Sequence, residues 1–458
     1  MGINNVKGTH DVIGNEANLY SAIENLLKQI AELYMYSEVR PPVLEYSELF
    51  VRGVGESSDV VRKEMYTFLD KGERSLTLRP EFTAGIMRLV VQNKLLATND
   101  WPLKLYYCGP VFRYERPQLG RYRQFNQFGI EAVGHNSPVN DVEVITMAYS
   151  MLVSLGLENV KIKINTLGDE ESRNAYRDAL KEFFKDKVAN MCEDCQSRYE
   201  LNPLRILDCK VPQDKEIIKD APKMSDYLSQ ASKDRFAVVC HALKELEIPF
   251  EVDDSLVRGL DYYSETVFEF HYQSSNGNDY GAIGAGGHYG KLMKDLGGPE
   301  LPGIGFSFGI ERIVSVLKDD NLLKEGGNDL DFYVMPLGEE SRKYAMGVSI
   351  LLRANGYSVD MCFDNTKMGN MFKRASTKNA KYAVIIGENE VKDEKVIIKD
   401  LVKQEQIEVK IDDLVAKVDE LFDECICQNK NELENEENHE CCHGKGKDSG
   451  ECCHKKGE

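Results

Sequence analysis

The sequence lacks the features that mark membrane, secreted and P-loop proteins. No run of apolar residues is long enough to span a bilayer, and the polar opening MGINNVKGTHDV has no apolar secretion core. Val6 stands where a myristoylation signal needs serine or threonine. No GxxxxGK(S/T) motif occurs, so any nucleotide must be bound by other means. We therefore expect a cytoplasmic protein with no membrane partner.

Positive charge is also in short supply. The 458 residues contain 57 lysines and arginines against 76 aspartates and glutamates, a formal net charge of −19. This balance argues against a protein that coats nucleic acids non-specifically, but a local basic groove stays open because net charge is a sum over the whole surface. The length suffices for roughly two to four domains with real cores.

Twelve cysteines are present, and six of them lie at or after Cys425. Residues 170–248 are lysine-rich and mostly helical in period, which indicates an inserted helical module. Within it, Cys192, Cys195 and Cys209 would supply three of the four ligands of a zinc site, and no fourth ligand is evident. A large chain without a secretion signal is expected to keep such cysteines as thiols or metal ligands.

Residues 425–458 are acidic and polar with almost no large hydrophobic side chains, which is typical of a disordered tail. A Cys-Cys-His group occurs twice in it, and thiolates and imidazoles are ligands of Zn²⁺ or another soft metal. The candidate ligands are Cys441, Cys442, His443, Cys452, Cys453 and His454. The alternative is an incidental tail or one recognised by a protease.

Residues 104–133 predict a strand, a loop with Pro117 and Gly120, and a returning strand. Arg113 and Glu115 stand where the first strand enters the loop. Side chains alternate between the faces of a strand, so a cation, a ring, an amide, a gap and a carboxylate would share one face: Arg123, Phe125, Gln127, Gly129 and Glu131. Such a row indicates a ligand site, and a partly solvated sheet face is the alternative.

Three further stretches carry candidate residues. In LTLRPEFTAG, Glu81 and Thr83 stand at a strand-to-helix junction, either as a helix cap or as part of a site. In PGIGFSFGIERIV, alternate small residues would leave a flat shelf suited to the face of a base, and Arg312 follows in the first helical turn. The spacing is not the Rossmann pattern, because Phe308 replaces its last glycine. The stretch SEVRPPVLE predicts a sheet edge or an interface.

From Asp331 onward, strands alternate with helices. This pattern predicts a separate α/β domain with a largely parallel sheet at residues 326–424. Basic residues cluster on or near one of its helices, where they would form either a solvated face or a contact with an RNA backbone. These residues are Lys367, Lys373, Arg374, Lys378 and Lys381.

Taken together, these stretches resemble the signature motifs of the class II aminoacyl-tRNA synthetases. The region around Pro41 and Pro42 is similar to motif 1, FRYE at 112–115 with its return strand to motif 2, and GIGFSFGIER at 303–312 to motif 3. Further segments resemble the histidyl-tRNA synthetase family in order and spacing: LRPEFT at 78–83, RYRQFNQFGIE at 121–131, LVRGLDYY at 256–263 and AIGAGGHYGKL at 282–292. The resemblance extends from about Ile3 to Glu420.

The resemblance implies an α+β catalytic domain at residues 1–325, an antiparallel sheet flanked by helices, which the insertion at 170–248 interrupts. It implies that residues 326–424 bind the anticodon and that the chain forms a homodimer. The implied reaction joins L-histidine and ATP as histidyl-adenylate, with Mg²⁺ on the phosphates, and then moves the histidyl group to tRNA(His). The alternative is the regulatory paralogue of ATP phosphoribosyltransferase, which binds histidine without aminoacylation.

The resemblance also implies roles for individual residues. Three arginines would be catalytic, because fixed guanidinium groups stabilise the charge that gathers at the α-phosphate: Arg113, Arg258 and Arg312. The histidine site would comprise Glu81, Thr83, Arg113, Gln127, Glu131, Arg258, Tyr262, Tyr263 and Tyr289. The ATP site would comprise Arg113, Glu115, Arg121, Arg123, Phe125 and Arg312. Three residues depart from the family pattern: Phe82, His288 and Gly290.

Overall fold

The structure is a computed structural model, and it describes residues 2–97, 101–116, 120–322 and 330–422. These residues form two compact units, which divide at residue 324. No helix in the described ranges is long and apolar enough to cross a membrane. The Cys/His groups that the sequence predicts to bind a metal in the tail lie outside the described residues.

The first unit combines strands and helices throughout. Its strands are β1 (Ser37–Glu38), β2 (Leu44–Tyr46), β3 (Tyr66–Leu69), β4 (Ser75–Leu78), β5 (Leu103–Phe112), β6 (Gln124–Val133), β7 (Lys161–Thr166), β8 (Phe250–Val252), β9 (Tyr263–Gln273), β10 (Asp279–Tyr289) and β11 (Gly303–Gly309). Its helices are α1 (Asn15–Leu33), α2 (Ser47–Val54), α3 (Thr83–Gln92), α4 (Pro138–Ser154), α5 (Glu170–Phe184), α6 (Glu193–Leu201), α7 (Pro212–Ile218), α8 (Gln230–Glu245), α9 (Leu292–Asp295) and α10 (Ile310–Asp319).

An eight-stranded sheet organises this unit, in the order β1-β5-β6-β11-β10-β9-β7-β8. The outer pairs β1–β5 and β7–β8 are parallel. The inner pairs are antiparallel, so the predicted antiparallel sheet flanked by helices is confirmed. Strands β2, β4 and β3 form a separate antiparallel sheet.

Alternation along the strands gives this sheet two different faces. Phe128 and Ile130 of β6 and Phe306 of β11 pack into the main core with α1, α4, α8 and α10. The intervening side chains of β6 point to the opposite face, where Tyr107 of β5 packs with α3. Gln127 and Glu131 lie on this second face, so polar groups are positioned there by the strands themselves.

The insertion runs from α5 to α8 and has a small core of its own, in which Tyr176 and Phe184 pack with Ile206. A buried ion pair ties its last helix to the sheet unit. Arg235 of α8 donates to both oxygens of Asp141 in α4 at 2.9 Å. Because either charge alone would be costly to bury, this pair fixes the insertion against the main core.

The second unit contains β12 (Phe332–Pro336), α11 (Ser341–Ala354), β13 (Val359–Met361), α12 (Met368–Thr377), β14 (Tyr382–Ile386), α13 (Glu388–Lys392), β15 (Lys395–Asp400) and β16 (Gln406–Lys410). The sheet order is β13-β12-β14-β15-β16. An α/β domain is confirmed, but the expected largely parallel sheet is wrong: β12 is parallel to β13 and β14, whereas β15 is antiparallel to β14 and β16. The connections on both sides of β15 are too short for a parallel crossover.

Candidate active site

A cavity of about 390 Å³ opens beside the polar face of the main sheet. It brings together residues from five stretches that are far apart in sequence. Thirteen of the fourteen residues implied for histidine and ATP line it: Glu81, Thr83, Arg113, Glu115, Arg121, Phe125, Gln127, Glu131, Arg258, Tyr262, Tyr263, Tyr289 and Arg312.

Glu131 is the most deeply buried acidic group in this cavity, with 1% of its surface exposed. The Thr83 hydroxyl donates to its Oε1 at 2.7 Å, and the Tyr289 hydroxyl donates to its Oε2 at 2.7 Å. Burial raises the pKa of Glu131 to about 8, although these two hydrogen bonds oppose the shift and the nearby Glu81 adds to it. The cavity thus holds a carboxyl group that exchanges its proton near neutral pH.

Glu81 both caps α3 and lines the cavity. The sequence left open a helix cap or a place in a site, and one position of the side chain is compatible with both. Its Oε2 accepts from the backbone N–H of Thr83 at 2.6 Å, and its Oε1 accepts from that of Ala84 at 2.9 Å. Burial raises its pKa, and the two backbone hydrogen bonds oppose that rise. The helix terminus therefore holds the carboxyl group in one orientation.

Aromatic rings enclose the region around Glu131. The ring of Tyr262 lies 4.7 Å from that of Tyr263 and 5.9 Å from that of Tyr289, between ring centres. Burial raises the pKa of all three phenols. Their hydroxyl groups consequently stay protonated at physiological pH and remain available as hydrogen-bond donors.

Arginines give another part of the cavity a strong positive charge. Arg113 donates from Nε to the Pro80 carbonyl oxygen at 2.8 Å, and its guanidinium lies 5.4 Å from the centre of the Phe125 ring. Burial lowers the pKa of Arg312 to about 10, and the charges of Arg121 and Arg113 lower it further. Guanidinium groups held this close to one another form a site for a polyanion.

Arg258 is enclosed at the same cavity. It forms an ion pair with Glu269, whose other oxygen lies 2.9 Å from Nε2 of His271. Its Nε is buried and has no hydrogen-bond partner among the described residues. Buried donors are rarely left without a partner in folded proteins, so this N–H is a group that a ligand oxygen would satisfy.

Arg123 is the one implied histidine- or ATP-binding residue that does not line the cavity. Its guanidinium lies 3.9 Å from the centre of the Tyr114 ring and donates to the Glu115 carbonyl oxygen at 3.3 Å. Strand β6 begins one residue later, at Gln124. The alternation that aligns Phe125 with Glu131 therefore does not extend to Arg123, because that residue precedes the regular strand.

The insertion supplies cavity residues that the sequence patterns did not reveal. Arg205, Asp208 and Lys210 line the cavity, and Arg205 donates to the carbonyl oxygen of Gly259. It also pairs with Asp59 at 3.1 Å. The only signal in the sequence was a group of charged residues around Cys209, and such charges are common on the surfaces of helical modules.

The glycines of β11 make room for side chains of neighbouring strands. Gly305 lies opposite Glu131 in the sheet, and a Cβ at Gly305 would overlap the Glu131 carboxyl group and the Ile130 carbonyl. A Cβ at Gly303 would overlap the Tyr289 ring. The missing side chains at these two positions thus accommodate the buried acid and phenol, whereas the shelf for a base stays a prediction, since Gly305, Ser307 and Gly309 line the cavity.

Two of the three residues that depart from the family pattern do not line the cavity. His288 is buried next to Tyr289 but does not line the cavity; its Nδ1 lies 3.2 Å from the Ser264 hydroxyl. Burial lowers its pKa to about 3, so the ring is neutral. Gly290 does not line the cavity either. The third departure, Phe82, lines it and stacks on Tyr107 with ring centres 4.2 Å apart.

The basic cluster of the second unit is largely engaged in ion pairs. Arg374 contacts Asp364 at 2.7 Å, Lys378 contacts Asp360 at 2.9 Å and Lys381 contacts Asp331 at 3.0 Å. Lys367 and Lys373 belong to the same helix region and are exposed. A solvated, paired face accounts for three of the five basic residues.

Comparisons with known proteins agree with this geometry. The family model described as "Histidyl-tRNA synthetase" matches residues 8–313, and the model described as "Anticodon binding domain" matches residues 331–421. The tail lies beyond both matches.

Similar proteins also match over almost their full length. The histidine–tRNA ligases of Bacillus licheniformis and Bacillus subtilis are each 46% identical over 418 residues, which cover 91% of this chain and 98% of the relative. The crystal structure of apo S. aureus histidyl-tRNA synthetase is 35% identical with a TM-score of 0.78, and the match covers 91% of this chain and 100% of that chain. The chain belongs to the histidyl-tRNA synthetase family.

Proposed function

We propose that this cavity is the site at which the chain, as a histidine–tRNA ligase, activates L-histidine with ATP before transfer to tRNA(His). One observation carries the assignment of the site. A single cavity holds a buried carboxyl group with two hydroxyl partners, Glu131 with Thr83 and Tyr289, together with the guanidinium groups of Arg113 and Arg312. The region of the buried carboxyl group fits a small polar side chain, and the region of the guanidinium groups fits a polyphosphate.

Glu131 and Tyr263 would recognise the imidazole ring. Each Glu131 oxygen already accepts one hydroxyl, and its remaining lone pairs can accept a ring N–H. A side chain without that N–H would leave the remaining lone pairs of a buried carboxylate without a donor, which is a penalty against the wrong amino acid. Tyr262 and Tyr289 would close the sides of the ring site.

Glu81, Thr83 and Gln127 would hold the α-ammonium group of histidine. The carboxyl group of Glu81 keeps lone pairs after accepting the two N–H groups of α3. Because α3 fixes its orientation, the acid need not be rearranged when the ammonium group arrives. Gln127 is 7% exposed and lines the same cavity from β6.

In the first step, a carboxylate oxygen of histidine attacks the α-phosphorus of ATP, and the bond to pyrophosphate breaks. Negative charge gathers on the α-phosphate oxygens in the transition state, and no proton has to move. Arg113 and Arg258 would stabilise this charge, and the unpartnered Nε–H of Arg258 is free to donate to it. A hydroxyl of the terminal adenosine of tRNA(His) would then displace AMP from the histidyl group.

The ATP site would comprise Arg113, Glu115, Arg121, Phe125 and Arg312, with Phe125 stacking on the adenine and Arg312 at the γ-phosphate. We leave Arg123 out of this set, because its guanidinium is engaged outside the cavity. Mg²⁺ would accompany the β- and γ-phosphates. Glu64 and Glu115 offer carboxylate oxygens in this part of the cavity, which is the ligand type that Mg²⁺ prefers.

The second unit would bind the anticodon of tRNA(His), with Lys367 and Lys373 as the exposed basic groups of its α12 region that form no ion pair among the described residues. We also propose that the chain works as a homodimer in the cytoplasm. Light scattering of the purified chain tests the dimer, since a mass near 51.9 kDa would show a monomer instead.

Histidine-dependent exchange of pyrophosphate into ATP tests the assignment. We expect the wild-type chain to catalyse exchange and Arg258→Ala to lose at least about a hundredfold, the loss typical of removing one transition-state donor. The exposed Arg177 of α5 provides the control, and Arg177→Ala should exchange normally. Arg258→Lys keeps the charge opposite Glu269, so it should fold even if the alanine variant does not.

Two results would contradict the proposal. Wild-type exchange in a folded Arg258→Ala chain would remove Arg258 from the reaction. A wild-type chain that binds histidine but shows no exchange would behave as the regulatory paralogue of ATP phosphoribosyltransferase does, and the activation chemistry would be excluded.

A further inference from the structure

Three thiols and a carboxyl group meet inside the insertion, outside the active-site cavity. Their ligand atoms all lie within 4.8 Å of one another, and they belong to Cys192, Cys195, Cys209 and Asp214. The sequence offered three ligands and no fourth. The structure supplies it, because α7 turns back after Cys209 and places Asp214, 1% exposed, beside the thiols.

We propose that a single Zn²⁺ binds at this point, held by four groups: Cys192, Cys195, Cys209 and Asp214. The chemistry of the donors favours zinc, since thiolates select soft or borderline metals over Mg²⁺ and Ca²⁺. Three thiols and one carboxylate also complete the four-coordinate shell that structural zinc sites use.

Two of the distances among these four groups are close to those of a tetrahedral centre. With zinc–sulfur bonds of about 2.3 Å, two sulfurs of a tetrahedron lie about 3.8 Å apart. The Sγ atoms of Cys192 and Cys209 are 3.9 Å apart, and Sγ of Cys209 is 3.2 Å from Oδ2 of Asp214. A disulfide requires about 2.05 Å between its sulfurs, and all three cysteines are free thiols here.

The backbone holds these groups in place before any ion arrives. Cys192 is the residue that precedes α6 and Cys195 lies in its first turn, so the start of one helix sets the spacing of the two thiols. The Cys192 N–H donates to Asp214 at 3.2 Å. Cys195 and Cys209 are buried in the small core of the insertion. A preformed set of this kind needs little rearrangement to bind a metal.

The site adjoins the active-site cavity through the chain itself. Cys209 lies between Asp208 and Lys210, and both of these line the cavity. A metal on Cys209 would thus anchor the segment that closes one side of the cavity. This consequence rests on the proposed function, whereas the metal site does not, and the two are tested separately.

Metal content of the full chain tests the site. To silence the tail, its cysteines are replaced by serine: Cys425, Cys427, Cys441, Cys442, Cys452 and Cys453. This serine-tail chain is the parent of all the variants. After growth with zinc, we expect one equivalent of zinc per chain in the parent and in the control Cys240→Ser, whose half-buried thiol lies outside the cluster. Cys195→Ser and Asp214→Asn should lose that equivalent. Cobalt(II) added to the parent after a chelator has removed its zinc should give the intense thiolate-to-cobalt absorption of a tetrahedral centre.

A second measurement keeps the test decisive if the cluster variants fail to fold. In the parent, zinc should protect three thiols from a thiol reagent, and a chelator should release them. The proposal is overturned if the parent carries no more zinc than Cys195→Ser, if cobalt gives no thiolate absorption, or if Cys192 and Cys209 are found as a disulfide. Pyrophosphate exchange is assayed apart from this, so loss of exchange with zinc still bound would count against the proposed function alone.

Discussion

The fold buries the carboxyl group of Glu131, and this group keeps its proton near neutral pH. Burial raises its pKa to about 8, against the hydrogen bonds from Thr83 and Tyr289. At the proposed histidine site, an entering imidazole N–H would stabilise the charged form, so histidine binding would be coupled to the loss of this proton. The residue proposed to select the substrate is therefore also a pH-sensitive one.

The pH profile of histidine activation should show this coupling. We expect kcat/KM for histidine to rise from pH 7 through about pH 8 and to level off only above about pH 9, because only the ionised Glu131 accepts the ring N–H. Glu131→Gln has the same shape and cannot ionise, so its activity should be at least about a hundredfold lower and flat over this range. Exchange at saturating ATP measures both, and an equal slope in the variant would contradict the coupling.

The raised pKa of Glu131 favours activity at high pH, but it lowers the stability of the folded chain as the pH increases. The folded-state pKa of Glu131 lies above the ordinary 4.5, so its contribution is fully present below about pH 4.5 and is lost as pH rises through about 8. Without ligands at pH 8.5, Glu131→Gln should unfold at a higher temperature than wild type, and its free energy of unfolding should be larger by up to about a few kcal/mol. At pH 5 the two proteins should unfold at nearly the same temperature. Equal unfolding curves of the two proteins at both pH values would show that burial does not disfavour the ionised carboxyl group.

Single residues of the site were predictable where they stand on regular strands. Phe125, Gln127 and Glu131 alternate on β6, and the structure places all three at the cavity. Asp208 and Lys210 were not predictable, because the fold of the insertion brings them to the cavity across a long sequence separation. Asp214 was missed for a different reason: it follows Cys209 by only five residues, but their contact depends on the turn into α7.

At the scale of elements, the pairing of β6 with β11 shapes the proposed histidine site. Gly305 faces Glu131 across the two strands, and there is no space for a side chain between them. The two strands can bring the acid this deep only because β11 offers no Cβ at that register. Here the identity of one residue is dictated by a neighbouring strand rather than by its own backbone conformation.

Replacing this glycine should damage histidine binding more than it damages ATP binding. In Gly305→Ala the new Cβ overlaps the Glu131 carboxyl group, which must move away from its hydroxyl partners. We expect KM for histidine to rise at least about tenfold and KM for ATP to change little. Gly309→Ala provides the comparison, because its Cβ would meet only Arg312 at 4.0 Å. Equal effects of both variants on KM for histidine would show that the register does not control the site.

Elements with strong periodicity were predicted closely, and the others were not. The alternation of strands and helices predicted from Asp331 onward is observed from β12 to β15. Strand β16 was missed because Gln406–Lys410 alternates weakly and is polar at both ends. Its omission made the sheet look parallel, since the hairpin from β15 to β16 supplies one of the antiparallel pairs.

At the scale of the whole molecule, the two compact units each have a separate hydrophobic core. The second core includes Phe422, whose ring lies 4.9 Å from that of Tyr357 and 5.9 Å from that of Phe332, between centres. Each unit therefore buries its own apolar surface, and a chain that ends after either one should fold. The proposed activation site comprises only residues of the first unit, whereas aminoacylation also needs the tRNA.

A chain that ends at residue 322 should thus separate the two steps of the reaction. We expect it to retain histidine-dependent exchange within a few-fold of wild type, because the whole cavity is present, and to lose aminoacylation at least tenfold, because the anticodon-binding unit is gone. A chain that ends after Phe422 is the matched control, since it removes only the tail and should keep both activities. Exchange and charging of tRNA(His) with labelled histidine give the two readouts. If exchange disappears together with charging in a folded short chain, the first unit does not contain the complete activation site, and the assignment of the cavity must be revised.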